Sequence, residues 1–292
     1  MKPDDYQFMV SFLKERSGLV LADDKVYLLE NRLLPVARKR MLNGVDELIL
    51  ALRTSGDQEL VREVTEAMTT NESFFFRDVT PFKQFQEIVL PQFLESRAAK
   101  KRLRIWCAAA ATGQEPYTLA MILKEEEARL AGWKVEILAT DLCTAALERA
   151  RNGKYTQFEV QRGLPVQYLM KYFEQQDSFW EISPVIRQMV DYREFNLLDS
   201  VRTIGPCDII FCRNVLIYFD QETKGRILDQ MAGLLPEDGY LYLGGAETVL
   251  GVTQSFKTVS GLHGAYRTVP VAAQSQPTGK SQDQAAKQSV AV

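Results

Sequence analysis

One histidine, His263, stands in 292 residues, close to the C-terminal end. A mechanism built on a histidine base therefore has little to work with, and His263 reads as structural. The four cysteines, Cys107, Cys143, Cys207 and Cys212, form no C-x-x-C pair, and no histidine cluster completes a zinc site. They read as buried free thiols in a reducing compartment, and no metal is expected. No apolar run reaches the roughly 20 residues of a membrane-spanning helix. The opening MKPDDYQFMV sets acidic residues ahead of the apolar ones, unlike a secretory leader, so a cytoplasmic location is expected. Neither sign of charge dominates. The 35 Lys+Arg and 38 Asp+Glu leave a net charge of -3, with no global pull toward nucleic acid or an anionic membrane. Glycine-rich phosphate loops are missing too: neither G-x-x-x-x-G-K-[ST] nor G-x-G-x-x-G occurs.

What is present is an ordinary globular composition, 46% hydrophobic and 25% charged, long enough for one large or two moderate domains. Residues 4 to 70 read as helices. DDYQFMVSFLKERSG opens with aspartates that serve as caps, spaces Phe8, Phe12 and Leu13 on one face, and stops at Gly18. DDKVYLLENRLLPVARKRML starts at Asp23 or Asp24, and Pro35 is expected to kink or divide it. GVDELILALRTSG and DQELVREVTEAMTT give two more short amphipathic helices. A connecting helix follows, and then strands alternate with helices: LRIWCAA, KVEILATD, CDIIFCRN and GYLYLGG are the apolar strands. Continuous apolar strands with intervening helices predict a parallel sheet covered on both faces. The stretch 154–195 is expected to be an excursion. In it VQYLMKYF is helical, while SFWEIS and IRQMVDYREF alternate like strands of a small antiparallel hairpin. The expected domains are 1–75 helical, 76–97 connecting helix, and 98–270 α/β with the insertion at 154–195. The Gln/Ser/Ala-rich tail 271–292 is expected to be disordered.

Ligands of an open parallel sheet sit beyond the carboxyl ends of its strands. There the sequence places Thr112, Gly113, Gln114 and Glu115 after the first strand and Asp141 after the second. Asn196 and Asp199 lie in FNLLD, and Arg213 and Asn214 follow the third apolar strand. An acidic residue ending the second strand suits ribose hydroxyls, although such an aspartate is as often a helix cap. The missing phosphate loop points to a nucleoside without a pyrophosphate. The small residues Ala108 to Ala111 admit close backbone approach. S-adenosylmethionine fits these features better than a nicotinamide dinucleotide.

Two further motifs, TTNESFFFRD at 69–78 and FCRNVLIYFD at 211–220, resemble the signatures of the CheR-type chemotaxis receptor methyltransferases. RIWCAAAATGQEPYTLAM, ILATDL and GYLYLGGAE resemble the same family in the same order, and the likeness covers residues 5 to 268. It implies an α/β architecture: a small all-helical N-terminal domain joined to a class I, Rossmann-like S-adenosylmethionine-dependent methyltransferase domain with a small β insertion. It also implies methyl transfer to glutamate side chains of membrane chemoreceptors, leaving S-adenosylhomocysteine. In that family the first motif lies over the cofactor. The resemblance carries cofactor roles to Asn71, Ser73, Arg77, Gly113, Glu115, Asp141, Asn196, Leu197, Arg213 and Asn214. Arg77 would pair with the methionine carboxylate, Glu115 with its ammonium and Asp141 with the ribose, while Tyr218 would face the reacting carboxylate.

The sequence departs from the family pattern at Gln114, where many members have Glu, and at Ser73, which replaces a frequent Thr but keeps the hydroxyl. KYFEQQDSFWEIS at 171–183 lacks the glycine-rich loop of members that dock to a receptor's C-terminal pentapeptide, so a pentapeptide-independent enzyme is expected. The basic residues Lys25, Arg32, Arg38, Lys39 and Arg40 read first as a solvated helix face. In a CheR-like protein, Arg32, Arg38, Lys39 and Arg40 would steer the acidic methylation helices of a receptor. The rival expectations are a methyltransferase of this fold with another protein or small-molecule substrate, and a cofactor-binding adaptor without turnover.

Overall fold

The computed structural model describes residues 1–22 and 24–270. Asp23 and the tail expected to be disordered lie outside the described residues. Four helices come first: α1 Pro3–Ser17, α2 Val26–Lys39, α3 Val45–Thr54 and α4 Gln58–Met68. Their apolar stripes meet in one core that includes Met9, Leu13, Leu29, Leu33, Leu48, Leu60, Val64 and Met68. The start of α1 is not capped by a side chain. Pro3 occupies the first turn, and Asp4 and Asp5 follow within it, where they complement the helix dipole. Tyr6, Met9 and Leu13 are its buried residues, with Phe8 and Phe12 only half-buried. Its end is at Gly18, left-handed at φ 75, as expected. Helix α2 begins at Val26 without an aspartate cap and runs unbroken through Pro35. Pro35 is exposed, so water can serve the carbonyl whose partner the ring removes. In α4 the Asp57 side chain does cap, accepting the Glu59 and Leu60 N–H groups.

The connecting segment consists of α5 Thr80–Gln84, a π-helical turn Phe85–Val89 and α6 Leu90–Ser96, burying Phe82, Phe85 and Phe93. The second domain then runs β1 Arg102–Cys107, α7 Gln114–Glu125, β2 Lys134–Asp141, α8 Thr144–Asn152, β3 Lys154–Thr156, α9 Gln157–Gln161 and α10 Val166–Tyr172. It continues with β4 Phe173–Gln176, β5 Phe179–Ile182, α11 Pro184–Arg187, β6 Val190–Glu194, β7 Ile209–Cys212, α12 Gln221–Ala232, β8 Tyr240–Leu243, β9 Phe256–Thr258 and β10 Ala265–Thr268. The main sheet has the order β6-β2-β1-β7-β8-β10-β9. Strands β6 to β8 in that order are parallel, and β10 and β9 add an antiparallel edge. The chain leaves β1 toward β2 on one side and reaches β7 on the other. The switch point therefore lies between β1 and β7, where a ligand crevice belongs.

The insertion differs from expectation in its pairing. The small sheet is β3-β5-β4, so FWEI is its central strand, paired with Lys154–Thr156 and Phe173–Gln176 and not with the later alternating stretch. That later stretch becomes β6, parallel to β2 with Ile137 opposite Val190, at the edge of the main sheet. Alternation marks a half-buried strand but does not name its partner. The four cysteines are buried and free. Among the described residues no group of side chains is arranged to hold a metal, and no helix is long and apolar enough to cross a membrane.

Candidate active site

A cleft enclosing about 990 Å³ of empty space, open mouth included, lies at the carboxyl ends of the parallel strands. Asn71, Ser73, Arg77, Glu115, Asp141, Asn196, Leu197, Arg213, Asn214 and Tyr218 all line it. Ser17, Leu19 and the Met68–Thr70 stretch close it from the helical domain. His263 is exposed and takes no part in the lining.

The floor is the turn after β1. Ala110 N–H donates to Thr140 O at 2.9 Å, and Ala111 N–H donates to Asp141 Oδ2 at 2.8 Å. Asp141 Oδ1 accepts the Cys143 N–H at 2.9 Å, so one carboxylate ties the turn after β1 to the turn into α8. Burial pushes its pKa up, against those backbone donors. Gly113 does not line the cleft; it makes the turn beneath it. Its φ is 94, and a Cβ there would stand 2.8 Å from the Tyr192 hydroxyl and 2.9 Å from Ala150 Cβ. Gln114 is also interior, accepting the Thr112 hydroxyl at 2.8 Å, and is absent from the lining. The neutral amide therefore sits behind the cleft wall.

Arg213 is a strut between two segments. Its guanidinium donates to Glu115 Oε2 at 2.7 Å, to Asp78 Oδ2 at 2.8 Å and to Arg77 O at 2.8 Å. Its side chain is 1% exposed. Burial pushes the Glu115 carboxyl up while Arg213 pulls it down. Arg77 itself donates to Glu72 O at 3.0 Å and lies over the Phe74 ring. The loop carrying Asn71 to Arg77 is braced by Arg162, which pairs with Glu72 at 2.7 Å and also lies over the Phe74 ring.

Three residues that the sequence reading passed over or misjudged organise the walls. Glu247 accepts the N–H groups of Asn214, Val215, Ile217 and Gly244. Glu66, from α4, accepts Thr144 N–H at 3.0 Å and its hydroxyl at 2.7 Å, capping α8 from the other domain. Arg32, expected to face a substrate, instead donates to Met68 O, Thr69 O and Thr70 Oγ1, holding the strand of chain that leads over the cleft. Lys39 and Arg40 are engaged with Glu63, and Arg40 also with Asp57. Arg38 is exposed and makes no ion pair among the described residues. None of the four basic residues lines the cleft. No local pattern joins Glu66 to Thr144, 78 residues on, or Glu247 to Asn214 and Val215, more than thirty residues earlier; only the Gly244 bond of Glu247 is local.

Two family models match the chain, one described as the CheR methyltransferase all-alpha domain over residues 4–69 and the other as the CheR methyltransferase SAM binding domain over residues 71–265. A chemotaxis protein methyltransferase of Vibrio parahaemolyticus is 39% identical over 258 residues, covering 87% of this chain and 93% of that one. Chemotaxis protein methyltransferase 1 of Pseudomonas aeruginosa is 38% identical over 261 residues, covering 87% and 94%. A chemotaxis protein methyltransferase of Escherichia coli is 34% identical over 248 residues, covering 83% of each chain.

Proposed function

The chain belongs to the CheR methyltransferase family, and from that premise we propose how its cleft works. It is an S-adenosylmethionine-dependent methyltransferase acting in chemotaxis adaptation, and its substrates are glutamate side chains of methyl-accepting chemoreceptors. The products are the glutamate methyl ester and S-adenosylhomocysteine. The observation that carries the site assignment is the convergence of Asn71, Arg77, Glu115, Asp141 and Asn214, distant in sequence, on one cleft beside the small-residue turn Ala108–Ala111.

The residues present fit the methyl donor. Asp141 offers a carboxylate edge for ribose hydroxyls, Glu115 a negative charge for an ammonium, and Arg77 a guanidinium for a carboxylate. Asn71 and Ser73 cover the site, and Asn196, Leu197 and Asn214 flank it. The cofactor supplies a methyl group on a cationic sulfonium. A glutamate substrate has a pKa near 4.3, so it is already an anion at neutral pH and no proton has to be removed. That explains a cleft without a histidine. The chain's work is to hold and desolvate the substrate carboxylate, which Tyr218 faces, and alignment of this kind supplies effective molarities of about 10⁵ M or more.

Strands β4 and β5 are joined by the two residues Asp177 and Ser178, with no glycine. This tight turn supports a reading in which the receptor's C-terminal pentapeptide is not required. The working location is the cytoplasm, where receptor methylation helices are accessible. The test is transfer of tritiated methyl to receptor-containing membranes, with and without the receptor C-terminal tails, beside calorimetry with S-adenosylhomocysteine. Base-labile label on both receptor forms is expected. Strong dependence on the tail would remove the pentapeptide-independent reading. Cofactor binding without any transfer would favour the adaptor.

A further inference from the structure

We propose that Glu247 is a positioning residue for methyl transfer, fixing the Asn214–Tyr218 wall of the cleft from behind. The inference rests on reading the cleft as the methyl-transfer site. Leaving β7, the chain must turn from buried Cys212 into a short 3-10 turn, Leu216–Tyr218, while presenting Asn214 and Tyr218 to the cleft. It does so with Asn214 in the left-handed region at φ 58. Asparagine enters this region more readily than other side chains, and here the loop's hydrogen bonds fix it there.

Glu247 provides that hold. Its Oε2 accepts Asn214 N–H at 2.7 Å and Gly244 N–H at 2.7 Å. Its Oε1 accepts Val215 N–H at 2.9 Å and Ile217 N–H at 3.3 Å. One carboxylate thus gathers the donors of two loops, and charge-assisted bonds of this kind are about twice as strong as neutral ones. Glu247 does not line the cleft, so it acts through the loop and touches neither ligand.

Gly244 completes the arrangement. A Cβ at this position would lie 2.7 Å from Asn214 Nδ2, 2.8 Å from Glu247 Oε2 and 2.9 Å from Asn214 N. Its neighbour Gly245 has nothing within 4 Å of the same test position. The pair therefore supplies a built-in control: one methyl group pushes on the clamp and the other, one residue away, meets open space.

The experiment compares Glu247→Gln, Glu247→Asp, Gly244→Ala and Gly245→Ala in the full chain. It measures S-adenosylhomocysteine affinity by calorimetry, kcat and KM for receptor methylation per folded molecule, and the unfolding midpoint. In Glu247→Gln, whichever way the amide turns, its NH2 faces two N–H groups that had an acceptor. Cofactor affinity and kcat are expected to fall about tenfold or more per folded molecule, beyond any loss of folded fraction. Gly244→Ala is expected to act in the same direction, Glu247→Asp to retain part of the function, and Gly245→Ala to match the unaltered chain. Wild-type affinity and kcat in Glu247→Gln and Gly244→Ala, whatever their midpoints, would overturn the proposal alone. If the unaltered chain fails to bind S-adenosylhomocysteine, the reading of the cleft falls and this proposal with it.

Discussion

The two oxygens of Asp141 are partly committed before any ligand arrives, one to Ala111 N–H and the other to Cys143 N–H. Each still has lone-pair capacity, because a carboxylate oxygen accepts more than one donor. The sequence left open whether this aspartate caps the next helix or faces a ribose. In the structure Asp141 does not cap α8, whose first N–H goes to Glu66; its backbone bonds to Ala111 and Cys143 hold the carboxylate at the cleft lining. Asp141→Asn keeps the shape but turns one acceptor into a donor against a buried N–H. We expect it to weaken S-adenosylhomocysteine binding by about 1–3 kcal/mol, read by calorimetry. Unchanged affinity would take Asp141 out of the ligand's reach. Arg213 stands beside it as a residue whose partners no local pattern names. Its carboxylate partner Glu115 is 98 residues away in sequence.

At the scale of elements, α2 shows how a charged face divides its labour. Arg32 faces inward along the chain to brace Met68 and Thr69, while Lys39 and Arg40 are tied to Glu63 on α4. Only a cation without such a commitment is a clean probe of receptor docking. Arg38→Glu is therefore expected to lower the rate of receptor methylation, most strongly at low ionic strength, and to leave S-adenosylhomocysteine affinity intact. Arg40→Glu would instead break a structural cluster and lower the unfolding midpoint. Equal loss of methylation and cofactor binding in Arg38→Glu would count against docking by this face. The amphipathic periods of α1 to α4 were legible because a 3.6-residue stripe marks the buried side of a helix. Pro35 misled, since a proline on the wet side of a helix can be carried without a break. The insertion's small antiparallel hairpin is present, but the strand that pairs with FWEI was misjudged for a different reason. A strand's period gives its faces, and its neighbour is settled by packing elsewhere.

For the whole molecule, the helical domain is fastened to the methyltransferase domain on both flanks of the cleft. Glu66 caps α8 on one side. On the other, Val20 N–H donates to Tyr218 O at 2.9 Å, Asn196 donates to Arg16 O at 2.7 Å, and Lys14 pairs with Asp220 at 2.8 Å. Gly18 packs so closely on Phe219 that a Cβ would sit 2.8 Å from its ring. The cleft is thus shared property of both domains, and they are expected to unfold together. Calorimetry of the full chain should show one transition, and Glu66→Ala should lower it by about 1–2 kcal/mol through the lost cap. Two resolved transitions, with cofactor binding surviving the first, would show that the helical domain is dispensable to the site.

The sequence by itself determined the main helices and the parallel strands, the two-domain order and the family, though not the short strands β3, β4, β9 and β10, because periodicity, terminators and short motifs are local properties of the chain. It also named, from strand ends and from the TTNESFFFRD motif, residues that the structure brings to one cleft. Only the tertiary structure decided what those residues do to one another. It placed Arg213 between Glu115 and Asp78, sent Gly113 and Gln114 behind the cleft wall, and gave Glu247 the amides of a loop some thirty residues earlier in the chain. The physical reason is that a buried charge must find partners wherever the packed core offers them, and packing brings together residues that the chain keeps far apart.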